Sequence, residues 1–218
     1  MHIFINEEIG SVHALINESK DPRYLLILSH GAGAGMQHAF MEQLAQDISA
    51  RNGHVLRFNF PYMDAGKKLP GSPKVSQKTI LAAVEDIHKK YWDLPVFLSG
   101  KSYGGRMSSH VVAEGTAPEA KGLIYFGFPL HAPGKDGTKR ADHLQSIRIP
   151  QLFIQGTLDK LANYELIKKV VKRQHKGELY AIEHADHSFK VAKKNQKKDH
   201  NIIGTLGKKT NDWICSLL

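Results

Sequence analysis

One cysteine, Cys215, stands in a chain of 218 residues. A single thiol cannot close an internal disulfide or build a thiolate metal cluster, and the scarcity points to a reducing compartment, most simply the cytoplasm. Long apolar runs are missing as well, and no stretch approaches the length of a membrane span. The opening "MHIFINEEIGSVHALINESK" lacks the basic start and apolar core of a signal peptide. Finger spacing and aromatic-interleaved basic motifs are also absent, which argues against nucleic acid as a partner. The 13 histidines are scattered without paired-ligand spacing, so neither a metal nor an organic cofactor is implied. With no internal repeat and no dividing linker, residues 1–218 read as one domain.

Acidic residues are in deficit: 21 Asp and Glu face 30 Lys and Arg, for a formal charge of +9. Much of the excess lies in "KKVVKRQHK" (168–176) and "KVAKKNQKK" (190–198). In the second run Lys190, Lys193, Lys194, Lys197 and Lys198 would share one face if the segment were helical. A solvated lysine face is the plain reading. The sharper one is an electrostatic funnel for acidic substrates or a nucleic-acid contact.

Strand and helix patterns alternate along the chain. "VHALI" (12–16), "YLLILS" (24–29), "HVLRFNF" (54–60), "VFLS" (96–99), "GLIYFGF" (122–128), "QLFIQG" (151–156) and "ELYAIE" (178–183) read as strands. Helices are expected from Met36 to a left-handed cap at Gly53, then with a core face of Ile80, Val84, Ile87 and Tyr91 and a cap at Ser76. Further helices are expected from Tyr103, over 161–174, and in the tail, with apolar positions 202, 203, 206, 213, 214 and 217. Long loops fall at 61–74 and 129–147. Such alternation implies an α/β fold whose mostly parallel sheet is covered on both faces, with functional residues in loops at the carboxyl ends of strands.

The stretch "VFLSGKSYGGR" (96–106) contains both Gly-Lys-Ser, the end of a phosphate-binding P-loop, and G-x-S-x-G, the frame of a nucleophilic serine. A P-loop requires glycine five residues before Gly100 of Gly100-Lys101-Ser102, and that place is held by Pro95. Proline has no amide to offer a phosphate, so nucleotide binding through this motif fails. A nucleophile elbow needs strand, sharp turn and helix, which is the context here. Small Gly100 and Gly104 would let the strained turn close around Ser102.

A serine hydroxyl attacks only when an imidazole takes its proton and a carboxylate orients that imidazole. In chain order, "TLD" after the strand at 151–156 offers Asp159, and "HADHSF" after the strand at 178–183 offers His187. Asp136, Asp142 and Asp186 are rival acids, and His184 is the rival base. Small residues in "SHGAGAGM" (29–36) would let a backbone amide, that of Ala32 with Gly33 as competitor, join the amide of Tyr103 in an oxyanion hole. Lys101 is expected to point to solvent. Arg106 is expected to bury its stem and pair with a carboxylate.

Together "SHGAGAGM", "RFNFPYM", "GKSYGGR", "QGTLD" and "HADHSF" resemble the small, capless α/β-hydrolases. The likeness is greatest to the branch that contains a testis-expressed protein and a related domain of a histone-acetyltransferase complex subunit; the dienelactone-hydrolase-like group is more distant. The resemblance implies Ser102 as nucleophile, Asp159 as acid, His187 as base and the loop at 30–33 as half of the oxyanion hole. The expected activity is hydrolysis of a small ester or thioester through an acyl-enzyme. The alternative is a non-catalytic domain of the same fold that docks an acidic partner through its basic surface.

Overall fold

The computed structural model describes residues 1–196 and 201–218. An N-terminal pair, β1 (His2–Asn6) and β2 (Gly10–Asn17), leads into β3 (Tyr24–Ser29), α1 (Ala39–Ser49) and β4 (Gly53–Phe58). After a short α2 (Pro61–Asp64) come α3 (Pro73–Lys90), β5 (Val96–Lys101), α4 (Tyr103–Ala113) and β6 (Ala120–Phe126). A 3-10 segment (Lys139–Ser146) precedes β7 (Gln151–Gly156), α5 (Tyr164–Lys172), β8 (Gly177–Ile182) and the closing α6 (Ile202–Cys215).

The eight strands form one sheet in the order β1-β2-β4-β3-β5-β6-β7-β8. From β4 to β8 every pairing is parallel, and only the β1–β2 and β2–β4 pairings at one edge are antiparallel. β3 lies central and fully buried, and its side chains alternate between the two faces. Leu25 and Ile27 pack under α3 and α4, whereas Tyr24, Leu26 and Leu28 pack under α1 and α6. This is the α/β-hydrolase fold. Among the described residues no separate cap domain covers the carboxyl edge of the sheet.

Several local expectations are corrected. Asn52, not Gly53, takes the left-handed conformation after α1 (φ 73°), as asparagine can. Gly53 is small for another reason: a Cβ there would lie 2.5 Å from the Tyr24 ring. The cap of α3 is Ser72 followed by Pro73, not Ser76, because proline presets the first helical turn. Ser76 is buried, and its hydroxyl bonds that of Tyr103 at 2.9 Å. The lysine face at 190–198 does not form in the part described. Val191 pairs with Ala185 in an isolated bridge, and only Lys193–Asn195 make a 3-10 turn. Lys197 and Lys198 lie outside the described residues. In α6, Leu206, Trp213 and Ile214 face the core, while Leu217, just past its end, is exposed. No helix among the described residues is long and apolar enough to cross a membrane.

Candidate active site

The site grows from the tightest turn in the chain. β5 ends at Lys101, α4 begins at Tyr103, and Ser102 alone joins them with φ 50° and ψ −112°. That backbone region is nearly closed to residues with a Cβ, and holding Ser102 there costs of order 1–3 kcal/mol. The neighbouring glycines make the turn possible. A Cβ at Gly100 would sit 2.3 Å from the Gly105 nitrogen, and one at Gly104 2.4 Å from the Ser29 carbonyl oxygen. The result points the Ser102 hydroxyl above the carboxyl edge of the sheet.

The loops after β7 and β8 bring two side chains to it. His187 Nε2 lies 2.9 Å from Ser102 Oγ, and its Nδ1 lies 2.7 Å from Asp159 Oδ2. Asp159 is buried; besides His187, its carboxylate accepts from Gln155 Nε2 at 2.6 Å and the Leu161 amide at 2.7 Å. With Nδ1–H given to a carboxylate, Nε2 faces Ser102 as an acceptor. The rivals stand elsewhere. Asp186 receives the Ser188 and Lys190 amides and so shapes the His187 loop, and Asp136 accepts from Asn163. Asp142 occupies the first turn of the 3-10 segment, and His184 lies in the turn after β8 with φ 59°.

Ser102 and His187 border a cavity of about 470 Å³ whose walls include Ala32, Phe40, Met41 and Leu161. Among the described residues the Ala32 amide has no intramolecular acceptor. The Tyr103 amide is the first of α4, where no intrahelical carbonyl can receive it. Gly33 turns away with φ 76° and does not line the cavity. Two unspent amides and a helix N-terminus therefore border the space in front of Ser102.

The alpha/beta hydrolase domain family matches residues 22–215. The chain belongs to that family. Solved structures resemble it in fold. Est1E from Butyrivibrio proteoclasticus, with ferulic acid bound, superposes with a TM-score of 0.75 at 16% identity, covering 100% of this chain and 98% of its own. Dienelactone hydrolase from Anabaena variabilis gives 0.77 at 13% identity over 99% and 95% of the two chains. A serine hydrolase without a lid from Xanthomonas campestris gives 0.76 at 16% identity over 100% and 94%.

The site contains groups that its motifs did not announce. Lys101 does not point to solvent: its Nζ donates to the His187 carbonyl at 2.7 Å, beside the Phe189 ring. Burial pushes its pKa down to about 8, against the opposing pull of Asp159 and Asp186. The ammonium thereby ties the loop carrying His187 to the end of β5. Gln155 braces Asp159 and, through its own carbonyl, accepts the Phe128 amide at 2.9 Å. Its place at the inner end of "QLFIQG" carries no motif. Arg106 finds no carboxylate among the described residues; its guanidinium lies 5.8 Å from the Tyr103 ring, and its Nε is buried without a partner.

His30 supports the loop of Ala32. Its Nε2 accepts the Phe60 amide at 3.0 Å, so Nδ1 carries the proton and donates to the Gly31 carbonyl at 2.8 Å. Burial lowers its pKa from 6.5 to about 4. Below pH 6.5 the unfolded chain takes up a proton that the folded chain refuses until about pH 4, so stability falls as pH drops through that window. The full effect is roughly 3 kcal/mol. Urea titrations of wild type and His30→Gln at pH 7 and pH 4 should show wild type losing about that much more. Equal losses would contradict a neutral His30.

Proposed function

We propose that the protein is a serine hydrolase that cleaves a small ester or thioester through an acyl-enzyme. The observation that carries this reading is the hydrogen-bonded series Asp159–His187–Ser102, whose Ser102 and His187 line a cavity open to solvent. Ser102 Oγ attacks the substrate carbonyl while His187 Nε2 takes its proton. The carbonyl oxygen gains the negative charge and is held by the amides of Ala32 and Tyr103, aided by the N-terminus of α4. Collapse of the tetrahedral intermediate returns the proton from His187 to the departing alkoxide or thiolate. Water then repeats the sequence on the acyl-enzyme, with His187 again as base, and releases the acid. Asp159 keeps the imidazole in the required tautomer and stabilises its cation.

The cavity volume suits a short acyl group, and Phe40, Met41 and Leu161 supply apolar walls for it. The resemblance to the branch of the testis-expressed protein adds no substrate to this reading, and single-cysteine usage favours a cytoplasmic setting. Mixing enzyme with p-nitrophenyl esters of graded acyl length tests the proposal. A burst of p-nitrophenolate stoichiometric with enzyme, followed by turnover, is expected for at least the short chains. Absence of both burst and turnover across the series would contradict it.

A further inference from the structure

A second large cavity, of about 510 Å³, shares no lining residue with the one at Ser102. Its walls come from α4, the loop after β6 and the 3-10 segment, and they are strongly basic: Arg106, Lys135, Lys139 and Arg140 all border it. None of the four forms an ion pair within the described residues, although Lys and Arg on this chain elsewhere find Asp or Glu partners. Arg106 is the most informative. It is half-buried, its Nε lies out of water with no hydrogen-bond partner, and burial followed by repulsion from Arg140 lowers its pKa. A half-buried guanidinium whose Nε is shut off from water and unpaired costs free energy that a bound anion would partly recover.

Acidic groups nearby are occupied or remote. Asp136 accepts from Asn163 at 2.6 Å and lies 3.4 Å from His131, and Glu114 accepts from Gln77 at 3.3 Å. Asp142, on the 3-10 segment, lines a different cleft. The remaining wall is flat and apolar in character. The rings of His110 and His143 stack at 3.6 Å with an interplanar angle of 14°, and buried Leu130 lies alongside them in the lining. His143 is held by Ser109: that hydroxyl donates to the Arg106 carbonyl at 2.7 Å, so the 2.7 Å contact with His143 Nε2 requires the imidazole to donate. Burial and the neighbouring cations keep this imidazole neutral, its pKa lowered to about 3.

We propose that this cavity binds a small phosphate monoester, with its phosphoryl group between Arg106, Arg140 and the two lysines and its organic part against Leu130 and the stacked imidazoles. Two guanidinium forks match phosphoryl oxygens in pairs, and four cations call for more than a single negative charge. A carboxylate would leave much of that charge uncompensated. The inference does not depend on the reaction at Ser102.

Calorimetric titration with phenyl phosphate at fixed ionic strength tests it, with inorganic phosphate and benzoate as comparators. Expected is saturable binding of phenyl phosphate, tighter than inorganic phosphate, with benzoate far weaker. Each of Arg106→Gln and Arg140→Gln should weaken binding about tenfold or more, the scale of a lost charge-assisted hydrogen bond. Arg140 is exposed, so its replacement decides the matter should Arg106→Gln fail to fold. Absence of binding, unchanged affinity in Arg140→Gln, or benzoate binding as well as phenyl phosphate would overturn the proposal. Equal affinity for inorganic and phenyl phosphate would overturn the role of the apolar wall. An oligonucleotide that binds where phenyl phosphate does not would replace the proposal with a nucleic-acid contact.

Discussion

Ser102→Ala is expected to lower kcat/KM toward a p-nitrophenyl ester by roughly 10⁴- to 10⁶-fold, with secondary structure intact. The magnitude follows from the loss of covalent catalysis: His187 and the two amides remain, but no nucleophile stands between them. Stability should move differently. Alanine keeps the Cβ that makes φ 50° and ψ −112° costly, so its Tm should stay close to wild type. Ser102→Gly removes the Cβ and should be more stable than wild type by about 1 kcal/mol, or a few degrees in Tm, while equally inactive. A proposed nucleophile held in a strained turn predicts this opposition between stability and activity. Thermal melts of the three proteins, alongside ester turnover, check it. A Ser102→Gly protein less stable than Ser102→Ala would contradict the strain argument.

The second large effect is expected at Gly104. A Cβ there meets three backbone atoms at once: the carbonyl oxygens of Ser29 at 2.4 Å and of His30 at 2.5 Å, and the Ser29 carbonyl carbon at 2.6 Å. Backbone of the central strand cannot rotate aside as a flexible side chain would, so α4 must lift or the end of β3 must give way. Gly104→Ala is therefore expected to cost at least about 3 kcal/mol, near the upper range for overpacking. In a chain of this length that is roughly 6–12 °C in Tm. Because β3 leads straight into the loop of Ala32, any protein that folds should also lose activity. Gly71→Ala serves as the control: nothing lies within 4 Å of its added Cβ and its φ is not positive. It should leave Tm unchanged or slightly raised. A Gly104→Ala protein that melts with wild type would sink the close-approach account of the elbow.

The architecture was legible because its elements carry local signals. Apolar strands bounded by Gly and Pro, alternating with helices of 3.6 periodicity, suffice for a parallel α/β sheet. The residues that meet at Ser102 could be nominated for the same reason: each follows a strand, and in such a sheet all those strand ends point one way. Chain order favours Asp159 over Asp186 but does not separate His187 from His184, which share one loop; in the structure it is His187 that lies 2.7 Å from Asp159 and 2.9 Å from Ser102. What stayed hidden depends on contacts distant in sequence. Lys101 reads as a solvated cation until the His187 carbonyl arrives at its ammonium. Arg106 reads as half of an ion pair until its surroundings prove to be other cations. The spacing of Lys190, Lys193 and Lys194 suits a helix, but burial of Phe189 and Val191 after the His187 turn draws that segment along the protein instead. The edge strand β1 gives little periodicity to read, because in its five residues buried Ile3 is followed by an apolar but exposed Phe4.

Intact-mass analysis after exposure to a fluorophosphonate tests the central claim most directly, because the reagent needs both an activated hydroxyl and an oxyanion hole. Folded wild type should gain one phosphonyl group, located on Ser102 by peptide mapping, and Ser102→Ala should gain none. Folded wild type that stays unmodified, or labelling that persists in Ser102→Ala, would contradict the assignment of Ser102 as a working nucleophile.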